Sequence, residues 1–268
     1  MHFSPVIESF HGRLYFWGER ALYLGPGLAA TVHAHHAIQV CIPLSSAVRL
    51  RTGPSARWRE YDAAIVPANQ PHESDVAVDV IASLWVEPDT ASGQGLGRSG
   101  AQCAIRPIER SKLGAVVSSL LACWREGWDS ARTAALVEDV EEILARGQSA
   151  RPVGDPRVAR ALEILASAPE HRVRLADVAA GVSLSASRIA HLLSAEIRIP
   201  ARRYLLWLRL RDAVQAMARG ASITEAAHTA GFADAAHFDR TFRRMLGFTP
   251  SAARRVSKFV QDGPTARR

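Results

Sequence analysis

The chain has 268 residues, 48% of them hydrophobic, which suits two domains better than a single small core. It contains no apolar run long enough for a transmembrane helix, and its N-terminus lacks the basic start and apolar stretch of a secretory signal. Three scattered cysteines without a CxxC spacing disfavour a disulfide framework and a zinc finger. We therefore expect a cytoplasmic protein without a membrane partner.

The charge is divided unevenly along the chain. Residues 1–150 carry 13 Lys and Arg against 16 Asp and Glu, a net charge of −3. Residues 151–268 carry 20 against 10, a net charge of +10. A basic half of this kind is typical of a protein that binds a polyanion, although a solvated basic face would have the same composition.

Short apolar segments dominate residues 12–86 and are separated by Gly, Pro and Ser. They read RLYFWG, ALYLG, AIQVCIPL, AVRLR, DAAIVP and VDVIASLWV. Many short strands at close spacing predict a β-barrel or jelly roll, here over about residues 10–87. Residues 88–100 have no apolar periodicity and predict a flexible stretch.

Helical periodicity follows over about residues 107–146. Apolar side chains recur there at steps of three and four, at Leu113, Val117, Leu120, Leu121 and Trp124 and again at Leu136, Val140, Ile143 and Leu144. These helices would flank the barrel and complete a first domain over residues 1–146, or they would form the seam of a homodimer. The composition of residues 147–155 predicts a linker, with Asp155 as the N-cap of the next helix.

One pattern occurs twice in the second half. The segments LADVAAGVSLSASRIAHLL (175–193) and ITEAAHTAGFADAAHFDRTF (223–242) both place a small residue, a tight turn and an amphipathic helix in that order. Two helices that cross steeply need a small residue where they approach, so the pattern predicts two helix-turn-helix motifs. Ordinary α-hairpins imitate a single copy, and two copies in a basic domain favour DNA binding.

The segment between the copies, PARRYLLWLRLRDAVQAMARG (200–220), predicts a helix about 30 Å long. This length is close to one turn of B-DNA, about 34 Å, so the helix would place two recognition helices in successive major grooves. An ordinary all-helical domain is the alternative. In each recognition helix one stripe would be buried, with Ile189, Leu192 and Leu193 in the first and Phe238, Phe242 and Leu246 in the second.

Residues 155–255 resemble the DNA-binding domain of the AraC/XylS family of bacterial transcription regulators. The resemblance is most specific in ITEAAHTAGFADAAHFDRTFRRMLGFTPSAAR (223–254). It implies a DNA-binding domain over residues 156–268, with two helix-turn-helix subdomains joined by a long helix on one face of double-stranded promoter DNA. It also implies contact with RNA polymerase if the protein is an activator.

The resemblance assigns DNA contacts by position. Base-reading residues would be Ser187, Ala190 and His191 in the first recognition helix and Ala236, His237, Asp239 and Arg240 in the second. Phosphate contacts or interhelical pairing would fall to Arg188, Arg202, Arg203, Arg243 and Arg244. Two features depart from the family. Ser183 stands where a glycine is common, and two of the assigned base-reading positions hold alanines, Ala190 and Ala236, whose side chains cannot donate or accept hydrogen bonds. Direct readout would therefore depend on His191, Arg240 and His237.

Two segments of the first half, HAHHAIQ (33–39) and VPANQPH (66–72), resemble the two motifs of cupin domains. In metal-binding cupins an HxH pair and a Glu meet a later His, and here Gln39 replaces the Glu. Alternation along a strand would point His33 and His35 to one side and His36 to the other, towards the surface or a neighbouring loop.

Several interpretations of this cluster remain open. His33, His35, Gln39 and His72 would form an effector pocket or a set of polar residues bonded to one another. His33, His35 and His72 alone would hold Zn²⁺, Ni²⁺ or Fe²⁺ with open positions, and a catalytic role is the remaining reading. The nearby aromatic residues would line the cavity or belong to the core, and they are Trp17, Tyr23, Trp58, Tyr61 and Trp85.

Together these observations predict an α+β protein of two domains: an N-terminal cupin-like β-barrel with flanking helices, and a C-terminal all-α domain with two helix-turn-helix motifs joined by a long helix. The expected function is sequence-specific transcription regulation in response to a small effector, without catalytic residues and without a required cofactor. The alternative is a metal-dependent cupin enzyme with an appended helical domain. A helical protein–protein adaptor would leave the charge of +10 unexplained.

Overall fold

The computed structural model describes residues 12–75, 80–97, 104–146 and 155–260. Its first half contains two β-sheets with helices, and its second half is helical with one added strand, so the predicted two-domain α+β class is confirmed. The linker predicted at 147–155 lies outside the described residues except for Asp155. No helix within the described ranges is long and apolar enough to cross a membrane.

The strands form a seven-stranded and a four-stranded sheet. The larger sheet has the order β10-β7-β4-β9-β2-β1-β11, and the smaller has the order β3-β8-β5-β6. The strands are β1 Gly12–Phe16, β2 Arg20–Gly25, β3 Ala30–His33, β4 Ile38–Pro43, β5 Val48–Arg51, β6 Arg59–Tyr61, β7 Ala64–Val66, β8 His72–Ser74, β9 Ile81–Val86, β10 Arg106–Pro107 and β11 Ser257–Val260.

Alternation gives the larger sheet two different faces. Leu22, Val40 and Leu84 point to one face and pack with the helices that follow the sheet. Tyr23 and Cys41 point to the opposite face and pack with residues of the smaller sheet. The smaller sheet therefore covers one side of the larger one, and the space between them is where the site lies.

Three helices follow the last central strand: α1 Ala91–Leu96, α2 Gly114–Glu126 and α3 Ser130–Ala145. Both α2 and α3 pack on the larger sheet through buried residues such as Leu120 and Val140, as expected for helices that flank the sheet. The expectation of a flexible stretch over 88–100 is wrong at α1, where the Thr90 side chain accepts a hydrogen bond from the Gly93 amide and starts the helix. Residues 98–100 lie outside the described ranges.

Seven further helices form the second half, and two pairs of them are the predicted helix-turn-helix motifs, α5–α6 and α8–α9. They are α4 Pro156–Ser167, α5 Leu175–Ala180, α6 Ala186–Ile197, α7 Ala201–Ala218, α8 Ile223–Thr229, α9 Ala235–Leu246 and α10 Pro250–Val256. The turns contain Ser183 at φ 54° and Gly231 at φ 78°. The connecting helix α7 has 18 residues and is therefore about 27 Å long.

The recognition helices α6 and α9 bury the predicted stripes. Ile189, Leu193, Phe238 and Phe242 are buried in one core with α7, while Leu192 and Leu246 are half-buried at its edge. Each helix begins at a capping side chain, Ser185 for α6 and Asp234 for α9. The opposite face of each recognition helix is therefore turned away from the core.

The chain returns to the first domain after α10. Strand β11 pairs in parallel with β1, with Gly12 opposite Ser257 and Tyr15 opposite Val260. The sequence pattern of an all-helical second half did not predict this strand, because its pairing partner lies at the other end of the chain.

Candidate functional site

The side chains predicted to contact DNA lie on α6 and α9. Those exposed to solvent are Ser187, Arg188, His191, Ala236, Arg240, Arg243 and Arg244, and those half-buried are Ala190, His237 and Asp239. Asp239 accepts a hydrogen bond from Arg243 at 3.3 Å, and the His237 ring packs edge-on against Phe232. A DNA-contacting surface requires such exposure, and the individual roles remain predictions.

Arg203 occupies a different position from the one expected for a phosphate contact. Its Nη2 donates to the carbonyl of Ala34 at 3.2 Å, across the boundary between the two domains. Arg202, its neighbour, is exposed. Arg202 is therefore the more accessible of these two arginines on α7, and its phosphate contact stays a prediction.

The three predicted histidines meet in the first domain, and all three are buried. The ring centroids of His33 and His72 are 4.0 Å apart and those of His35 and His72 are 5.1 Å apart. One ring nitrogen from each lies within 4.8 Å of the others. The clustering was predicted, but strand alternation is the wrong reason for it. Strand β3 ends at His33 and pairs with β8 at His72, and His35 lies in the bend before β4.

Backbone carbonyls set the tautomer of each ring. The Nδ1 atoms lie 2.7 Å from Thr31 O, 2.8 Å from Ala37 O and 2.9 Å from Gln70 O for His33, His35 and His72 respectively. Desolvation lowers the pKa of all three, that of His33 to about 3 with a further contribution from His35. The rings are therefore neutral, each donates Nδ1–H to a carbonyl, and each keeps a lone pair on Nε2.

Gln39 takes up two of these lone pairs. Its Oε1 atom lies 3.1 Å from His35 Nε2 and 3.0 Å from His72 Nε2. Neutral rings only accept at Nε2, and an amide oxygen cannot donate, so we assign the flipped amide, in which the Gln39 NH₂ group takes the place of Oε1 and donates to both rings. With this orientation the cluster satisfies both ring nitrogens of His35 and His72, whereas His33 Nε2 keeps its lone pair. It does not fit the cupin metal set, because the carboxylate is missing and two of three nitrogen ligands are engaged.

Strand alternation predicted that His36 lies at the surface or bonds to a neighbouring loop, and the structure does not place it at the surface. It is 2% exposed and lies 3.5 Å from Asp89 Oδ2 and 3.5 Å from Asn69 Nδ2, both outside regular elements. Its ring packs edge-on against Tyr204 of α7. The bond to a neighbouring loop was expected, and the contact with the second domain was not.

A cavity of about 150 Å³ lies beside the cluster. Its walls come from the inner faces of both sheets and from α7, and they are mostly apolar. The lining includes Gln39, Trp85, Glu87, Leu210, Arg211 and Val214. Of the five aromatic residues considered from the sequence, Tyr23 and Trp85 line the cavity. Trp17 instead bonds to Ser130 at 2.9 Å, and Trp58 packs under Arg51.

A buried carboxylate joins the cavity wall to α7. Glu87 Oε1 accepts a 2.7 Å hydrogen bond from Trp207 Nε1 and lies 3.5 Å from Arg211 Nη1. Desolvation raises the pKa of Glu87, and the charge of Arg211 opposes this rise. No local motif singled out Glu87, since its partners are more than a hundred residues away in the chain.

The first domain also holds both recognition helices at their C-terminal ends. Asn69 Nδ2 donates to the carbonyl of Ile197, the last residue of α6, at 3.2 Å. Both the amide and the hydroxyl of Thr31 donate at 3.0 Å to the carbonyl of Gly247, the C-cap of α9. Together with the Arg203–Ala34 bond, these contacts form what we call the interdomain clamp.

Comparison with known proteins agrees with this architecture. Residues 178–256 match the family model described as a helix-turn-helix domain. The HTH-type transcriptional regulator NimR of Escherichia coli K12 is 23% identical over 228 residues, which are 83% of this chain and 81% of NimR.

Solved structures of ToxT from Vibrio cholerae share the fold of both halves. ToxT of strain O395 superposes with a TM-score of 0.57 at 11% identity, covering 87% of this chain and 95% of ToxT. ToxT bound to (E)-4-(8-methylnaphthalen-1-yl)but-3-enoic acid gives 0.57 at 12% identity, covering 87% and 96%. With its double helix-turn-helix domain and its sheet-rich N-terminal domain, the chain is a DNA-binding transcription regulator, and its second half is similar to the DNA-binding domain of the AraC/XylS family.

Proposed function

We propose that this regulator reads promoter sequence with α6 and α9 and alters its DNA binding when a small effector occupies the cavity. One observation carries the proposal: the cavity is lined both by the sheets and by α7, the helix that joins the two helix-turn-helix motifs. A related fold, that of ToxT, has been solved with a small organic acid bound.

Effector binding would be coupled to DNA binding because the effector makes different contacts in the two states of the protein. A ligand shifts an equilibrium only if it interacts differently with the two states. A molecule that touches Leu210 and Val214 on α7 meets a wall that moves whenever the domains move relative to each other. The interdomain clamp would pass this movement to α6 and α9, because it holds the end of each recognition helix.

Sequence readout is tested by selecting bound duplexes from a random pool with the full chain. We expect Arg240→Ala to cost about 1–3 kcal/mol of binding free energy and to relax the preference at one base pair. Arg202→Ala is the matched control, since loss of a phosphate contact should weaken all sequences alike and flatten the salt dependence. An unchanged preference in the Arg240→Ala pool would contradict the base-reading role.

The effector role is tested by filling the cavity. Val214→Phe adds volume to the wall contributed by α7, and Val32→Phe adds the same group at an exposed position of β3. DNA affinity is measured by fluorescence anisotropy with and without a panel of small organic molecules. We expect the wild type and Val32→Phe to respond to the same molecules and Val214→Phe to lose the response. A response retained in Val214→Phe would remove the cavity from the mechanism.

Two partners follow from the family resemblance and belong to the same proposal. We propose a homodimer, which light scattering of the full chain tests, and contact with RNA polymerase at activated promoters, which transcription in vitro tests. We propose no catalytic role for the histidine cluster, because Gln39 engages the Nε2 atoms of two of its three neutral rings.

A further inference from the structure

The short turn that joins α4 to α5 has a strained backbone. It is a single 3₁₀ turn over Pro169–His171, and both Glu170 and His171 have φ 49°. Two consecutive residues other than glycine in the left-handed region are unfavourable, and such a conformation persists only where the surrounding structure holds it. The contacts of the turn therefore indicate which elements it positions.

Helix α7 holds this turn through two side chains. Arg209 donates from Nε to the carbonyl of Glu170 at 3.1 Å and from Nη2 to the carbonyl of His171 at 3.0 Å. The ring of His171 is buried, with Nε2 2.8 Å from Asp212 Oδ2 and Nδ1 3.2 Å from the carbonyl of Leu165. The turn is thereby fixed to α4 and to α7 at once.

The second helix-turn-helix motif touches the same turn. Gly231, between α8 and α9, has φ 78°. A Cβ there would lie 2.6 Å from the carbonyl oxygen of Glu170, 3.0 Å from the Glu170 Cβ and 3.5 Å from Arg209 Nε. Position 231 therefore requires glycine both for its backbone angle and for the close approach of residue 170. The turn that leads into the first motif and the turn inside the second are thus in direct contact.

This contact restricts how the two motifs can rotate against each other. The chain between α7 and α8 is a short connection, residues 219–222, and it contains Gly220 at φ 97°. A few residues of this kind can absorb a change in angle between packed elements. Because Gly231 lies against Glu170, the second motif cannot turn towards the first without displacing the strained turn.

We infer that the Pro169–His171 turn is a spacer that fixes the separation and angle of α6 and α9. Arg209 and Gly231 then determine which distance between two recognised DNA segments the regulator accepts, as positioning residues that act through the recognition helices. This inference rests on the proposed function, since it requires α6 and α9 to read DNA. An added base pair moves the second segment by about 3.4 Å and turns it by about 34°, so a rigid spacer rejects it.

The spacing preference of the full chain tests this inference. Selection from a random pool yields the recognised segments, and a second set of duplexes then differs only in the gap between them. Affinities are measured by fluorescence anisotropy. We expect the wild type to bind duplexes one base pair away from the best gap about tenfold more weakly. Arg209→Met keeps the aliphatic stem and removes the donors, and Gly231→Ala pushes Glu170 away, so both should reduce this penalty to about threefold or less.

Matched controls separate spacing from stability. Arg219→Met makes the same substitution at the exposed C-cap of α7. Gly220→Ala strains a left-handed backbone that has open space around the new Cβ. Both variants should keep the wild-type penalty. The penalty is a ratio of affinities within one variant, so a smaller folded fraction weakens binding to all duplexes alike and leaves the ratio unchanged.

Each result has a defined meaning. A wild type that binds all gaps equally, or a wild-type penalty retained in both Arg209→Met and Gly231→Ala, would overturn the spacer. A penalty that the two controls lose as well would also overturn it, because the preference would then not depend on the Pro169–His171 turn. A pool that yields only one recognised segment would instead contradict the proposed reading by both helices, and the inference would fall with it.

Discussion

At position 39 an amide stands where the resemblance to cupins places a carboxylate, and this one group determines the chemistry of the cluster. A carboxylate only accepts hydrogen bonds, whereas an amide can turn its NH₂ group to the positions 3.1 and 3.0 Å from the lone pairs of His35 and His72. Three histidines in the sequence indicated a site, but they did not distinguish a metal centre from a closed hydrogen-bond network. The distinction required the positions of Ala37 O and Gln70 O, which set the tautomers.

Restoring the carboxylate should therefore create a metal site. We expect Gln39→Glu to raise the affinity for Zn²⁺ by at least about tenfold, because the side chain no longer competes for two nitrogen ligands and adds a charged oxygen ligand. Zinc binding is measured by competition with a chromophoric chelator. The double variant Gln39→Glu/His72→Ala is the control and should lose the gain. Equal zinc affinity of the wild type and Gln39→Glu would contradict the role assigned to Gln39.

Among the elements, long periodic ones were predictable and short ones with distant partners were not. The apolar periodicity of α2, α3, α6 and α9 is visible in the sequence because each buries a stripe against neighbouring elements. The segments of β3 and β8, ATVH and HES, are too short and too polar to show alternation. They become strands because they pair with each other at His33 and His72. Helix α1, ASGQGL, contains two glycines, and its composition predicts a flexible segment instead of a helix.

The contact between α9 and β3 explains why position 247 is a glycine. Gly247 has φ 81° as the C-cap of α9, and a Cβ there would lie 2.7 Å from Thr31 O and 2.8 Å from the Ala30 Cβ. Gly220 after α7 has φ 97° and open space around the same position. The two positions share the left-handed backbone and differ in the contact with the first domain.

Substitutions at Gly220 and Gly247 distinguish the cost of backbone strain from the cost of a lost contact between the domains. Gly220→Ala should cost about 1–2 kcal/mol of stability from the left-handed backbone alone. Gly247→Ala should cost about 1–3 kcal/mol more, since β3 must move away from α9. Thermal unfolding of the full chain gives both values, and anisotropy gives the DNA affinity. If the two variants lose the same stability and DNA affinity, the clamp at Gly247 does not hold α9.

The whole molecule is organised around α7, which lies between the two helix-turn-helix motifs and also closes the cavity of the first domain. Its Trp207 is buried in the core of the second domain and donates to Glu87 of the first. Under the proposed function no separate relay between effector and DNA is needed, because the helix that lines the cavity also joins the two helix-turn-helix motifs.

The link between the domains can be measured as a coupling energy. Trp207→Phe removes a hydrogen bond from the buried Glu87 and should lower the free energy of unfolding by about 1–3 kcal/mol. In the background of Glu87→Gln the same change should cost less, because a neutral amide tolerates the loss better. A double-mutant cycle on thermal unfolding of the full chain tests this expectation. Costs that simply add would mean that the two side chains do not couple the domains.

The sequence alone determined the resemblance of the second half to AraC/XylS regulators, its two helix-turn-helix motifs and the clustering of the histidines with the cupin-like strands. These features depend on local periodicity, turn residues and motif spacing, all of which act over a few residues. Only the tertiary structure decided that α7 closes the cavity, that Arg203 and His36 contact the other domain, and that Trp85 and Arg211 leave donors without acceptors. These features arise from contacts between residues far apart in the chain, where burial and hydrogen bonding depend on packing rather than on the local pattern.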